Sequence, residues 1–149
     1  MNYVICGPPG SGKTTYVKKE SNSGDLIIDM DALSHAISGQ PWYQKPSHIL
    51  PFVKSVRDHL YKLIVEPPIN GHFNNSWVIN WGALAKDREQ LKKLLNSKVI
   101  ILETCEKECL RRIKNDSRRS DNIDSWEKLI KKWWNEYERQ EGDTIIGFD

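Results

Sequence analysis

One glycine-rich segment constrains the fold of this chain more than any other feature of its sequence. Residues 7 to 14 read Gly-Pro-Pro-Gly-Ser-Gly-Lys-Thr and follow directly on the apolar run Tyr-Val-Ile-Cys at residues 3–6. This spacing is the G-x-x-x-x-G-K-[ST] phosphate loop, which lies between a β-strand and an α-helix. The motif therefore predicts an α/β fold that binds a nucleoside triphosphate where its first strand ends.

Each residue type in the segment has a physical task on the triphosphate. Glycine lets the backbone adopt positive φ and approach a phosphate without a Cβ in the way. The N–H groups at the start of the next helix and its dipole attract the anion. Lys13 would reach the β- and γ-phosphates, and the Thr14 hydroxyl would bind Mg²⁺. We expect ATP and Mg²⁺ here, on Gly7, Pro8, Pro9, Gly10, Ser11, Gly12, Lys13, Thr14 and Thr15. The alternative is a glycine-rich turn that precedes Lys-Thr by chance.

Apolar runs and helical patterns alternate along the rest of the chain, which is typical of a parallel sheet with crossover helices. We predict strands at residues 3–6, 26–29, 77–80, 99–102 and 144–146. Helices are predicted at 14–20, 52–64, 84–95, after Thr104 and after Asp124, with the two last-named residues as caps. Six apolar residues at 126, 129, 130, 133, 134 and 137 form a wide stripe, which a core-facing helix explains better than a partner-binding face.

Composition and length favour one domain over residues 1–149. The chain is 38% hydrophobic and 28% charged with a formal net charge of +2, a balance that favours no nucleic-acid coat protein but leaves a locally basic binding face open. No apolar stretch approaches the length of a transmembrane helix. Cys6, Cys105 and Cys109 match no zinc spacing, and Cys6 and Cys109 are expected to be buried free thiols. The first strand leaves no room for a signal peptide. We therefore expect a cytoplasmic protein with no membrane partner, and its oligomeric state stays open.

Three features together resemble a family. The loop also fits the narrower G-x-x-G-x-G-K-T spacing, the second strand ends in Ile27-Ile28-Asp29-Met30-Asp31, and an arginine-rich stretch follows the fourth strand. Over residues 1–119 the chain resembles small P-loop kinases common in bacteriophages and prophages. Those proteins are similar to the polynucleotide 5′-kinase domain and, more distantly, to nucleoside-monophosphate kinases. The resemblance implies a five-stranded parallel sheet in the order 2-3-1-4-5 with helices on both faces.

The resemblance also implies transfer of the γ-phosphate from ATP to an acceptor, with Lys13 and Thr14 in the phosphate and metal roles. Asp31 matches the acid with which polynucleotide kinases orient and deprotonate the attacking hydroxyl. An arginine-bearing lid is implied at about residues 107–122, where the arginines that compete to clamp the phosphate are Arg111, Arg112, Arg118 and Arg119. Among these we favour Arg111 and Arg118. The alternative is that these arginines lie on a helical surface and only make the protein soluble.

The acids after the second strand have two interpretations. Asp29 and Asp31 are two residues apart, so on an extended strand end both would face the phosphate loop, one as a base and one supporting Mg²⁺. We expect Asp31 as the base and Asp29, with Thr14, at the metal. Helix N-capping at this point is the alternative. Residues 39–48 are similarly open: Trp42, Tyr43, Lys45 and His48 fit an acceptor pocket that stacks a base, or a loop packed on the domain.

Two departures from the family pattern keep the acceptor open. Ser34 stands where polynucleotide kinases have an arginine, and the third strand ends Asn80-Trp81-Gly82 without a Walker B aspartate. We predict a kinase whose acceptor is a hydroxyl of a nucleic acid or nucleotide. A nucleoside-monophosphate kinase with a phosphate acceptor, and an ATPase or switch module with no acceptor, are the alternatives.

Overall fold

A computed structural model describes residues 1–148 of the chain. It contains five strands and six helices within this range, and a short 3₁₀ turn lies at Ser120–Asn122. The strands are β1 (Asn2–Cys6), β2 (Leu26–Asp29), β3 (Ser76–Asn80), β4 (Ser97–Thr104) and β5 (Thr144–Phe148). The helices are α1 (Lys13–Glu20), α2 (Met30–Ser38), α3 (Leu50–Val65), α4 (Ala85–Leu95), α5 (Glu106–Lys114) and α6 (Ile123–Glu136).

All five strands form one parallel sheet in the order β2-β3-β1-β4-β5. The predicted fold class and strand order are therefore confirmed. In the centre of the sheet Val4 lies opposite Val78 on one side and Val99 on the other, and all three are buried. Central strands of a parallel sheet are covered on both faces, which explains why these runs are apolar without alternation.

Helices pack on both faces of the sheet. Val17 of α1 joins Ile5, Trp77, Ile100 and Leu102 on one face. On the other face, residues of α3, α4 and α6 pack against the central strands in a larger cluster that includes Tyr61, Ile64, Leu95 and Trp133. Ile130 packs with Cys109 and Ile113 of α5, and Trp133 joins the larger cluster, so this part of the apolar stripe of α6 faces the core as predicted. No helix within residues 1–148 combines the length and apolar character needed to cross a membrane.

Two of the predicted helix caps are wrong. Helix α5 begins after Cys105, and Thr104 instead ends strand β4, with its hydroxyl donating to the Ser11 carbonyl at 3.0 Å. Helix α6 begins at Ile123 after the 3₁₀ turn, one residue ahead of Asp124, and no side chain caps it. The first error matters for function because Thr104 is fully buried and fastens the phosphate loop to the sheet.

A buried arginine that the sequence did not single out anchors the segment that leads into β5. Arg88 of α4 is only 1% exposed. Its guanidinium pairs with Asp143 at 2.9 Å and donates to the carbonyls of Gly82, Ala83 and Glu138. These contacts join α4, the loop after β3 and the segment that leads into β5, so a charged group holds β5 in register at the sheet edge.

Candidate active site

The phosphate loop connects β1 to α1 at the carboxyl end of the sheet. Gly10 and Gly12 have φ of 77° and 92°, in the left-handed region that side chains rarely adopt. A Cβ on Gly10 would lie 2.6 Å from the Cys109 carbonyl oxygen, so this position excludes any larger residue. Because α1 begins at Lys13, the N–H groups of its first turn have no acceptor within the helix and are free for an anion.

The Lys13 side chain folds back over this loop. Its ammonium donates to the carbonyl oxygens of Gly7 at 2.7 Å and Pro8 at 2.9 Å. Burial lowers the pKa of Lys13 to about 8, against the opposing effect of Cys6, Asp31, Cys109 and Asp29. Neutral carbonyls are weaker partners than phosphate oxygens, so an incoming triphosphate would draw the ammonium away from them.

Helix α5 supports the loop from the other side. Arg112 is held by Glu108 at 2.9 Å, and one of its guanidinium nitrogens approaches the Gly10 carbonyl oxygen at 3.5 Å. A Cβ on Gly12 would lie 3.0 Å from the same nitrogen. Arg111 pairs with Glu108 on the outer surface, where its side chain is 62% exposed. Of these two adjacent arginines, therefore, Arg112 and not the favoured Arg111 lies against the phosphate loop.

Asp29, the last residue of β2, and Asp31, in the first turn of α2, both line the cleft beside the phosphate loop, but they have different roles there. Asp29 is the N-cap of α2, and its carboxylate accepts the Asp31 N–H at 3.0 Å. Burial, and then the charge of Asp31, raise the pKa of Asp29. Asp31 already belongs to the first turn of α2, so the expectation that both acids continue an extended strand is wrong. The Asp29 cap starts the helix one residue after the strand.

Asp31 lines the same cleft as Lys13 and pairs with Lys45. Lys45 lies in the segment between α2 and α3, which we call the aromatic loop (residues 39–49). Its side chain is 44% exposed and lines both the phosphate cleft and a second cavity next to it. The cleft thus holds one lysine against the phosphate loop and another against the acid.

The segment between α5 and α6, which we call the arginine segment (residues 115–122), carries two arginines to the same cleft. Asp116 orients both: it accepts from Arg118 at 3.0 Å and from Arg119 at 2.8 Å. These bonds to Arg118, and then Arg119, hold the pKa of Asp116 at about 2, while burial opposes them. The guanidinium groups of Arg118 and Arg119 are therefore fixed in place while their remaining donors are left for a ligand.

The aromatic loop and the arginine segment meet above the cleft. Two guanidinium groups contact the Tyr43 ring, with the Cζ of Arg119 at 5.0 Å and that of Arg118 at 5.4 Å from its centroid. Arg118 also lies over Trp42, and Arg119 over Trp126. Tyr43 has φ of 67°, a strained conformation that costs on the order of 1–3 kcal/mol. Strain of this kind is often retained at functional sites.

Two adjoining cavities result. One of about 430 Å³ lies over the phosphate loop and includes Lys13, Thr14, Asp29 and Asp31 in its wall. The other, of about 640 Å³, lies between the aromatic loop and the arginine segment. Their shared wall is formed by Tyr43, Lys45, Arg118, Arg119, Trp126 and Leu129.

Most residues predicted for the site line one of the two cavities, but Arg111 and His48 do not. Residues 9–15, Asp29, Asp31 and Arg118 line the phosphate cleft, while Trp42, Tyr43 and Lys45 line the second cavity. Arg111 and His48 are exposed and line neither cavity. Cys6 and Cys109 are buried free thiols, as predicted, and burial raises the pKa of each to about 12.

Sequence reasoning missed three contributors to the cleft. Asp116, which orients the arginines, gave only a weak signal by standing two residues before Arg118 and three before Arg119. Trp126 and Leu129 belong to the stripe interpreted as core, yet their side chains reach both cavities. Only the tertiary arrangement shows that the first turns of α6 face a cavity, because an apolar stripe looks the same in either case.

Comparison with known proteins agrees with the fold. No family model and no curated protein matches the sequence. Similar solved structures include a gluconokinase from Sinorhizobium meliloti 1021, with 14% identity over 98% of this chain and 81% of that one at a TM-score of 0.61. Shikimate kinase from Acinetobacter baumannii, in complex with shikimate, has 19% identity over 99% and 83% of the two chains at a TM-score of 0.53. Kti12 from Chaetomium thermophilum, in complex with ADP-AlF3, has 16% identity over 100% and 90% at a TM-score of 0.55. The chain therefore has the three-layer P-loop NTPase fold, and its structural neighbours include kinases.

Proposed function

We propose that this chain is an ATP-dependent kinase that uses Mg²⁺ and transfers the γ-phosphate to a hydroxyl group. One observation carries the proposal: Asp31 lines the same cleft as Lys13 and Thr14 of the phosphate loop. A carboxylate in that cleft is suited to accept a proton from a group attacking the γ-phosphate. The second cavity adjoins this cleft, with Lys45 in the wall of both, and provides room for the acceptor.

The reaction follows from these positions. The acceptor O–H gives its proton to the Asp31 carboxylate while the oxygen forms a bond to the γ-phosphorus. The bond between the γ-phosphorus and the β,γ-bridging oxygen breaks, and ADP leaves with that oxygen. Lys13 neutralises charge on the β- and γ-phosphates. Arg118 and Arg119 also line the cleft, where their free donors would stabilise the phosphoryl oxygens during transfer.

The residues at the phosphate loop fit Mg²⁺. Mg²⁺ prefers hydroxyl, carboxylate and water oxygens and is usually held by substrate phosphates with one or two protein ligands. Residues 1–148 contain no preformed group of three His, Cys, Asp or Glu side chains, so phosphates and water would complete the shell. The Thr14 hydroxyl and the cleft-lining carboxylate of Asp29 would hold the ion. When bound, Mg²⁺ would neutralise the phosphates and help orient them for in-line attack.

The acceptor we propose is a nucleotide or nucleic acid with a free hydroxyl, as in the phage-type kinases and polynucleotide kinases that the sequence resembles. The walls of the second cavity support this choice. Trp42, Tyr43 and Trp126 place aromatic rings in these walls, the side chains that stack on nucleobases, and Arg118 and Arg119 supply positive charge for a phosphate backbone. The arginine segment would serve as a lid on a single catalytic domain.

Asp31→Asn tests the function. Asparagine has the size of aspartate but cannot take the proton. General-base help is typically worth 10²–10⁴-fold, so we expect the rate of γ-phosphate transfer to fall by about two decades or more while ATP still binds. Transfer is measured with labelled ATP and a panel of acceptors: 5′-hydroxyl oligonucleotides, nucleosides, nucleoside monophosphates, and small polyols and hydroxy acids.

Asp29→Asn is the matched control. Asparagine caps a helix about as well as aspartate, so α2 stays in place while the neighbouring carboxylate is removed. We expect a smaller loss than for Asp31→Asn, and one that added Mg²⁺ partly restores. Near wild-type transfer by Asp31→Asn would refute the hydroxyl-acceptor mechanism. Hydrolysis of ATP without transfer to any acceptor would instead identify an ATPase or switch module.

One observation favours a second candidate, a nucleoside-monophosphate kinase. Arg118 and Arg119 line the second cavity, where they could bind a phosphate acceptor directly. Such an acceptor is already ionised and needs no base. In that case Asp31→Asn would keep most of its activity, and nucleoside monophosphates would be the preferred acceptors in the panel.

A further inference from the structure

Asp31, the proposed base, forms an ion pair with Lys45. Asp31 must have a free carboxylate oxygen in order to accept a proton from an acceptor hydroxyl. That carboxylate pairs, through Oδ1, with the ammonium of Lys45. Movement of Lys45 would open this oxygen to an acceptor hydroxyl.

Lys45 is placed where it can move from Asp31 to a bound triphosphate. Its side chain lines the phosphate cleft together with Lys13 and Thr14, and it also lines the second cavity. It belongs to the exposed aromatic loop and is itself 44% exposed, so its long, flexible stem can turn without disturbing the core. A bound triphosphate brings several negative charges into this cleft and offers the ammonium a stronger partner than a single carboxylate.

We propose that Lys45 is a further catalytic residue, which exchanges Asp31 for the γ-phosphate when ATP binds. The exchange has two consequences. It opens Oδ1 of Asp31 to the acceptor hydroxyl, and it adds a second cation, besides Lys13, at the γ-phosphate. One oxygen of the base is thereby covered until the phosphate to be transferred is present. This inference rests on the proposed function only in giving Asp31 the role of base.

The test compares nucleotides with and without the γ-phosphate. Dissociation constants of ADP and of a non-hydrolysable ATP analogue, each with Mg²⁺, are measured by calorimetry. The variants are Lys45→Met, which keeps the length of the side chain without its charge, and Lys45→Arg, which keeps the charge. Lys98→Met is the control, because Lys98 is exposed at the start of β4, at the opposite end of the sheet from the phosphate loop. Thermal unfolding of each variant checks that the fold is intact.

Lys45→Met is expected to weaken the ATP analogue by about tenfold, the effect of one charge-assisted hydrogen bond, and to leave ADP within about twofold of wild type. Lys45→Arg should recover most of the preference for the ATP analogue, and Lys98→Met should change neither nucleotide. An unchanged ratio of ADP to ATP-analogue affinity in Lys45→Met would overturn the proposal, whether neither nucleotide or both are weakened, since a structural role makes no distinction at the γ-phosphate. Failure of Lys45→Arg to recover the preference for the ATP analogue would also overturn it.

This result is independent of the acceptor. If the wild-type protein transfers phosphate but Lys45→Met keeps the wild-type nucleotide ratio, the kinase assignment stands and the role of Lys45 fails. If no acceptor in the panel is phosphorylated while Lys45→Met still loses the ATP analogue selectively, Lys45 contacts the γ-phosphate and the proposed kinase function fails.

Discussion

Two arginine environments in this molecule differ in how completely the protein satisfies them. Arg88 is buried, and Asp143 and three backbone carbonyls take up four of its five N–H donors. Arg118 and Arg119 share a single acid, Asp116, and otherwise lie over aromatic rings at a cavity wall. The buried Arg88 guanidinium is thus almost fully satisfied by the protein, whereas Arg118 and Arg119 keep most of their donors for a ligand.

The difference separates a structural charge from one available for substrate. A buried ion pair with full hydrogen bonding contributes to the uniqueness of the fold, and removal of one partner is costly. An arginine held by one acid and one ring face is oriented but still able to bind, which is the requirement for phosphate recognition. The number of donors left unused therefore indicates function better than the presence of arginine does.

The largest expected effect is on the stability of the fold, at the buried Arg88. Arg88→Met leaves Asp143 buried without its partner and removes three bonds to carbonyls. We expect the free energy of unfolding to fall by about 3–5 kcal/mol, the usual cost of breaking a buried pair, as measured by urea denaturation. Lys86→Met, at an exposed position of the same helix, should change it by less than about 0.5 kcal/mol. A loss for Arg88→Met no larger than that of the control would contradict the structural assignment.

The second largest expected effect is on the affinity for nucleotide at the phosphate loop. Lys13→Ala removes the cation that the phosphate loop holds ready on the Gly7 and Pro8 carbonyls. Binding of a non-hydrolysable ATP analogue should weaken at least tenfold, or about 1.4 kcal/mol. Calorimetry measures this directly, and the urea midpoint should move little because only carbonyl contacts are lost. Affinity equal to that of the wild type would refute nucleotide binding at this loop.

A smaller effect follows from pH. Burial lowers the pKa of Lys13 to about 8, so above that pH the empty protein loses the proton that a triphosphate needs. Nucleotide affinity should be constant below pH 8 and decline by several-fold, up to about tenfold, by pH 9. The sign for stability is opposite: between pH 8 and the ordinary value of 10.5 the unfolded chain binds more protons, so the empty protein gains stability as the pH rises.

Lys13→Arg provides the comparison for the pH series, because arginine does not titrate in this range. Its nucleotide affinity, whatever its absolute value, should stay flat from pH 7 to pH 9. A slope equal to that of the wild type would show that another group is responsible.

The smallest expected effect concerns the arginine segment. If it closes over bound phosphates, limited proteolysis between Lys114 and Asn122 should slow by a few-fold when ATP and Mg²⁺ are added. In Asp116→Asn the arginines lose their common acceptor, so cleavage of the empty protein should become faster and the protection by nucleotide larger. Cleavage at equal rates with and without nucleotide would argue against a lid.

The sequence was sufficient for the fold and for half of the site. The phosphate loop specifies its strand and helix locally, and the apolar runs of β1, β3 and β4 mark the buried strands, so these elements and Lys13 were predictable. The other half depends on side chains that meet only after folding. Nothing local indicates that Lys45 reaches Asp31 or that Arg88 meets Asp143 over 55 residues of separation.

Local signals were misleading where two roles compete for one residue. Thr104 and Asp124 are good caps by type, yet strand β4 extends through Thr104 and the 3₁₀ turn moves the start of α6 to Ile123. Of the adjacent Arg111 and Arg112, the twist of α5 turns the second toward the phosphate loop. A prediction of the helix alone does not determine that angle.

The contact between Gly10 and Cys109 has a mechanical consequence. There is no space for even a methyl group between the phosphate loop and α5, and Arg112 of the same helix reaches the Gly10 carbonyl. We therefore expect helix α5 to stay with the loop that would hold the nucleotide. A swing of the arginines would then pivot at Asn115, where α5 ends, so that the hinge lies at the junction between the helix and the short segment that follows it.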